Sequence, residues 1–261
     1  MSPSQVAHRP LHVARRTLKL TIAYDGTPFV GWQRQARGAS IQGLIEDALR
    51  PIEGGPVAVH GAGRTDAGVH ALGQVASFNF TASIEPARLR RALNTILPFE
   101  VRVLDAEEMP GDFHARFSAK GKVYEYRIDD ASIASPFLRR YTWHVTPALD
   151  VDAMEVAAGA LRGTHDFAAF QGSRTNVHST ERTIHRLEWS RGPGPRDPLV
   201  MEVEGNGFLR HMVRNIAGTL VGIGHGKWPP GEIDRILASR ERAKAGATAP
   251  PQGLFLKRVL Y

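Results

Sequence analysis

Between Gly61 and Val75 the chain reads GAGRTDAGVHALGQV, with one carboxylate, Asp66, two residues after Arg64. An ionised aspartate within reach of a substrate serves as a nucleophile or a general base. The flanking glycines permit positive φ angles and close approach of another backbone or a ligand. The same composition also builds an Asx-type turn, in which Arg64 is a surface charge of little energetic value. The local sequence leaves both readings open.

Other chemistries are excluded by what the chain lacks. It contains no cysteine, so disulfides, thiolate nucleophiles and Cys-ligated metal centres do not arise. Gly226-Lys227 is followed by Trp228 and position 221 is valine, which breaks the phosphate-loop pattern twice. Gly61-Ala62-Gly63 lacks the third glycine of a dinucleotide fingerprint. Neither a His-Glu-x-x-His pattern nor a Gly-x-Ser-x-Gly elbow occurs, and the 11 histidines are scattered. No metal or organic cofactor is expected.

Lys plus Arg number 33 against 26 Asp plus Glu, a formal charge of +7 that suits a polyanionic partner. The 261 residues are enough for one large domain or two ordinary ones. No apolar run approaches the ~18 residues that spanning a bilayer requires. The opening MSPSQVAHRPLHVARR lacks the apolar core of a secretory signal and reads as a flexible basic tail over 1–16. These features lead us to expect a cytoplasmic protein without a membrane partner.

The elements that must position Asp66 follow from periodicity. Thr17–Tyr24 alternates, with Leu18, Leu20, Ile22 and Tyr24 on one face, and predicts a strand. Ile41, Leu44, Ile45, Ala48, Leu49 and Ile52 recur at helical spacing. Val57–His60 and Gln74–Phe80 predict strands, Pro86 opens a helix that Pro98 stops, and Val101–Asp105 predicts a fourth strand. The second half repeats this order. It runs through a strand over Lys122–Asp129, a helix opened by Asp152 and Glu155, and strands over Thr183–Ser190 and Leu199–Glu204. An amphipathic helix over Phe208–Val221, a further helix from Glu232 to Arg240 and a last strand over Leu254–Leu260 complete it. On a helical wheel Arg210 and Arg214 lie opposite the apolar stripe, one turn apart. Each half therefore reads as a ferredoxin-like β-α-β-β-α-β lobe, 17–111 and 112–261. Together they imply an α+β fold with a mixed, largely antiparallel sheet of about eight strands and a central cleft.

Six collinear motifs then add a resemblance. Gly63-Arg64-Thr65-Asp66-Ala67-Gly68-Val69-His70-Ala71 resembles the signature of the TruA family of tRNA pseudouridine synthases. Tyr24-Asp25-Gly26 with Gly31-Trp32-Gln33-Arg34-Gln35 and Asp112–Ala119 resemble it too, as do Lys122–Tyr126, Phe208–Asn215 and Gly253–Leu256. The resemblance implies an isomerase that converts uridine to pseudouridine at positions 38, 39 and 40 of the tRNA anticodon arm. It also implies a homodimer with no metal or cofactor.

By that resemblance Asp66 is the catalytic aspartate and Arg214 its ion-pair partner. Tyr124 packs against the target base, Arg64 helps displace it, and Leu254 lines the pocket. Arg210 and His211 meet RNA phosphate. Lys19, Arg34, Arg37, Arg88, Arg90, Arg91, Arg116, Lys120 and Lys122 are candidates for a basic track under the RNA backbone. Two rival readings remain: a non-catalytic RNA-binding module on the same fold, and a carboxylate-based glycosidase. The first has no use for a carboxylate in the cleft, and the second ordinarily needs two.

Overall fold

The computed structural model describes residues 15–173, 177–194 and 196–261. All but the last two residues of the expected basic tail, and Pro195 of the Gly-Pro turn, lie outside the described residues. The first half comprises β1 (Arg16–Tyr24), α1 (Ile41–Glu53), β2 (His60–Gly61), β3 (His70–Phe80), α2 (Pro86–Ile96) and β4 (Val101–Met109). The second comprises β5 (Gly121–Asp129), β6 (Trp143–His144), α3 (Val151–Gly159), β7 (Gly163–Asp166), β8 (Glu181–Arg191), β9 (Leu199–Gly205), α4 (Met212–Gly224), α5 (Glu232–Ser239) and β10 (Leu254–Leu260).

All ten strands among the described residues belong to one sheet ordered β4-β1-β3-β10-β5-β9-β8-β7, with β2 on β3 and β6 on β5. The first half has the order β4-β1-β3-β2 and the second β10-β5-β9-β8, the arrangement of a ferredoxin-like unit in each. The expected eight strands become ten because β6 and β7, two and four residues long, carry no apolar alternation to announce them. Leu18, Leu20, Ile22 and Tyr24 of β1 all face the core, as their spacing predicts. That core is continuous, running from Leu18 through Tyr124 to Ile216.

The two halves are spliced by β10. It pairs in parallel with the start of β3, Phe255 opposite His70 and Leu256 opposite Ala71. On its other edge it runs antiparallel to β5, Leu254 opposite Tyr126 and Leu256 opposite Tyr124. The end of the Asp66 segment and the strand bearing Tyr124 are therefore two strands apart.

Two helix starts differ from expectation. Asp150 rather than Asp152 caps α3, its side chain accepting from the Ala153 amide at 2.9 Å. The α4 helix begins at Met212, not Phe208, because His211 adopts a left-handed conformation (φ 61°). Nor is α4 amphipathic in place: all its residues except Arg214 and Gly222 are buried. A helix apolar all round needs cover on every side. The chain over 242–249 supplies part of it. Asn215 Oδ1 accepts from Arg242 Nη2 at 3.0 Å and from Thr248 Oγ1 at 2.6 Å, and the Gly246 amide donates to Thr219 Oγ1 at 2.9 Å. Gly218 makes the approach feasible, since a Cβ there would sit 1.8 Å from the Ala247 carbonyl oxygen. Among the described residues no helix is long and apolar enough to cross a membrane.

Gly218→Ala is accordingly expected to destabilise the protein by about 1–3 kcal/mol through overpacking. Urea unfolding measures this, and an unchanged midpoint would show that the 242–249 segment moves aside without cost.

Candidate active site

The Asp66 segment is not a loose loop. On one side the Thr65 carbonyl accepts from the Trp32 amide at 3.0 Å, and Thr65 Oγ1 lies 2.8 Å from the Tyr24 hydroxyl. On the other, Gln74 Nε2 donates to the Gly63 carbonyl at 2.9 Å. The turn itself closes through the Val69 amide on the Asp66 carbonyl at 3.1 Å, with Gly68 at φ 77°. Burial pushes the Tyr24 phenol up to about 12, so it stays a neutral hydrogen-bonding post. The glycines serve this packing. A Cβ at Gly61 would strike the Trp32 ring at 2.4 Å, and one at Gly31, itself at φ 103°, would meet the Thr65 carbonyl oxygen at 2.5 Å.

His70 ends the segment as an anchor. It is 1% exposed, stacks on Phe255 at 4.6 Å and accepts from the Gly26 amide at Nδ1 over 3.0 Å. With Nδ1 accepting, the ring proton sits on Nε2 and points to the Arg140 carbonyl at 3.0 Å. Asp25 Oδ1 lies 3.2 Å from Nδ1, a contact that favours the charged ring. Burial outweighs it and holds the His70 pKa below its ordinary value. The backbone donor on Nδ1 agrees with the neutral form.

Asp66 meets two groups from the second half. Arg214 Nη1 donates to Oδ2 at 3.0 Å, and His211 Nε2 lies 3.4 Å from the same oxygen. Oδ1 accepts no hydrogen bond from the described residues. Arg214 is held from behind: its Nε donates to the Ala249 carbonyl at 2.7 Å, and the Ala249 amide returns a bond to the Arg214 carbonyl at 3.1 Å. The side chain of Arg214 is 13% exposed and that of Asp66 33%, so the pair is shielded yet open on the carboxylate side. This separates it from the solvated ion pairs that contribute almost nothing. Burial holds the His211 pKa down, and Arg214 pushes it the same way, although Asp66 pulls it up.

Tyr124 is buried, meets Phe208 edge-on at 5.2 Å, and has no hydrogen-bond partner for its hydroxyl among the described residues. Its pKa is raised, first by burial and further by Tyr24 and by the Asp66 carboxylate. Tyr126, on the same face, is a core residue whose hydroxyl donates to the Pro250 carbonyl at 2.8 Å. Leu254 is buried opposite Tyr126.

The other candidates lie apart from the carboxylate. Arg64 is exposed and its Nε donates to Gln33 Oε1 at 3.0 Å, not to Asp66. Arg210 precedes α4 and its Nη1 donates to the Ser173 carbonyl at 3.2 Å. His211, expected among the phosphate contacts, instead adjoins Asp66. Its left-handed backbone turns the ring inward against Gly172, where an added Cβ would lie 2.7 Å from Nδ1. A left-handed non-glycine residue is uncommon and leaves no trace in a helical wheel. Ala249, which aims Arg214 through its carbonyl, carries no side-chain signal at all. No group of three His, Cys, Asp or Glu that could hold a metal occurs among the described residues.

The Asp66 carboxylate and its Arg214 cation thus meet, partly shielded, between the two halves of the sheet. The model of the tRNA pseudouridine synthase family matches residues 20–118 and 157–261. The chain is 45% identical over 250 residues to tRNA pseudouridine synthase A of Syntrophotalea carbinolica, covering 94% of this chain and 96% of that one. It is 45% identical to the same-named protein of Ruminiclostridium cellulolyticum (94% and 100% covered) and 46% identical to that of Myxococcus xanthus (94% and 91%). This chain belongs to the tRNA pseudouridine synthase family.

The neutral, buried His70 generates a pH dependence of stability. Its folded pKa lies below the ordinary 6.5, so on acidification the unfolded chain takes up the proton first and the folded state loses ground. Urea midpoints should fall as the pH drops below about 6.5, and the fall should be smaller in His70→Gln. An identical acid dependence in that variant would show that His70 is not the titrating anchor.

Proposed function

We propose that this chain isomerises uridine to pseudouridine at positions 38, 39 and 40 of the tRNA anticodon arm, with Asp66 as the catalytic carboxylate. The observation that carries the reading is the Asp66–Arg214 pair, in which Oδ2 is engaged and Oδ1 is left free by the described residues. The target base must leave the stack to reach it, at a cost of a few kcal/mol. Stacking on an aromatic face returns ~1–3 kcal/mol per base, and the Tyr124 ring, on the strand across β10 from the end of the Asp66 segment, is the surface for it. Attack on the uracil ring, attack on the ribose anomeric carbon and base catalysis through a glycal all begin from an ionised carboxylate. Arg214 Nη1, 3.0 Å from Oδ2, sets a positive charge against that carboxylate.

In this reading Leu254 closes the apolar side of the pocket, Arg64 assists base displacement from its exposed post, and Arg210 meets RNA phosphate. His211 is assigned to the carboxylate rather than to phosphate because its Nε2 stands 3.4 Å from Asp66 Oδ2. The lobes 17–111 and 112–261, spliced at β10, contribute Asp66 and the Tyr124–Arg214 wall respectively. The homodimer follows from the family resemblance, and light scattering in solution tests it.

Asp66→Asn should abolish pseudouridine formation on an unmodified tRNA transcript while tRNA affinity changes by less than about threefold. Product at the parent rate would remove Asp66 from the chemistry. Arg214→Met should reduce single-turnover formation by at least ~100-fold with the fold intact by circular dichroism. Near-parent turnover in that variant would mean that the Ala249-held arginine has no part in the reaction.

A further inference from the structure

Lys122 is the second residue of β5, two positions before Tyr124, and its stem crosses the catalytic loop at Gly63. A Cβ on Gly63 would lie 3.2 Å from Lys122 Cε and 3.8 Å from Nζ, so the missing side chain makes room for the lysine. Elsewhere the sheet answers its cations with carboxylates: Lys19 meets Glu107 at 2.7 Å, and Arg127, also on β5, meets Glu125. Lys122 has no hydrogen-bond or ion-pair partner among the described residues. Pairing brings Arg182 to it, since Gly205 lies opposite both Lys122 and Ile184, two residues after Arg182, and Ala115 packs with Ala62 beside Gly63, which brings Arg116. Burial first, and then the charges of these two arginines, hold the Lys122 pKa down. Neither arginine pairs with a carboxylate among the described residues. Arg116 lies over the Phe117 ring at 5.6 Å, and Arg182 Nη1 donates to the Ser179 carbonyl at 3.0 Å.

Three mutually repelling cations with no internal counter-charge cost free energy unless an anion joins them. Phe117 is 76% exposed and tilted against His114 with ring centroids 4.5 Å apart, so an open aromatic ring adjoins Arg116. A row of cations beside an exposed ring suits a phosphodiester with its base, rather than a carboxylate-bearing peptide. We propose that Lys122, Arg116 and Arg182 form a binding site for a backbone phosphodiester adjoining the extruded uridine. The site rests on the tRNA reading above, and adds to it a specific anion subsite three residues from Asp66. It narrows the broad basic track to Lys122 and Arg116, and adds Arg182, which no motif marks.

The test uses a fluorescent, unmodified anticodon stem-loop transcript, with Kd measured against salt for the parent, Lys122→Met, Arg116→Met and Lys122→Arg. Each Met variant should flatten the slope of log Kd on log salt by about 0.7–0.9 and weaken binding roughly five- to tenfold at moderate salt. Lys122→Arg should keep the parent slope. A second series carries one neutral methylphosphonate linkage at a time around the target uridine. At one of these linkages the parent should lose affinity and Lys122→Met should lose nothing further. Unchanged slopes in both Met variants would overturn the site, as would a Lys122→Met penalty that persists on every neutralised transcript. Displacement of the transcript as readily by polyglutamate as by unlabelled transcript would assign the pocket to acidic polypeptide instead. Pseudouridine formation by the parent is scored separately. Its failure would remove the tRNA reading, while the binding series would still judge the anion site.

Discussion

The arrangement of this molecule depends on strand β10 pairing with both halves of the chain. Two residues, Phe255 and Leu256, pair on both sides, with His70 and Ala71 of β3 and with Glu125 and Tyr124 of β5. Parallel strands need a long crossover to meet, and here the whole second half serves as that connection. Because β3 begins at the end of the Asp66 segment and β5 bears Lys122 and Tyr124, the splice sets the distance between the first half's carboxylate and the second half's ring. The stacking of His70 on Phe255 ties the loop anchor to the same strand.

The chain just before β10 has a second consequence. Residues 242–249 pack on α4, and the last of them, Ala249, holds Arg214 through its carbonyl and amide. Cover for an apolar helix and aim for its one arginine therefore come from one segment. The pair Asp66–Arg214 is then rigid on both sides: the carboxylate is fixed through Thr65 and Val69, the guanidinium through Ala249. Preorganised charge of this kind does not have to reorganise as a reaction proceeds, which is where electrostatic catalysis gains most.

Much of the fold was legible in the sequence where burial is one-sided. The alternation of Leu18, Leu20, Ile22 and Tyr24 is that of a strand with one face on the core, and all four are buried. The α1 helix, with Ser40 accepting from the Gly43 amide and Gly54 at φ 79°, carries its stripe and its stop in sequence. Legibility ended where cover came from afar. The wheel of α4 leaves Arg214 on a solvated face, because nothing in 208–221 records that residues 242–249 will lie across it. The short strands β6 and β7 are held by pairing with longer neighbours and have no pattern of their own.

At the site the same boundary holds. Sequence alone determined which residue types were available: a single carboxylate among glycines, an arginine on a later helix, a strand tyrosine, and no thiol. The resemblance tied them to one family. Tertiary structure decided what the groups touch. It placed His211 against the carboxylate through a left-handed backbone, and set Arg64 on Gln33 away from it. It gave the loop glycines to Trp32 and Lys122 as packing space, where composition had suggested room for a ligand. The physical reason is that residue type sets a group's charge and hydrogen-bonding capacity locally. Its partners, burial and protonation depend on segments that meet only when β10 closes the sheet.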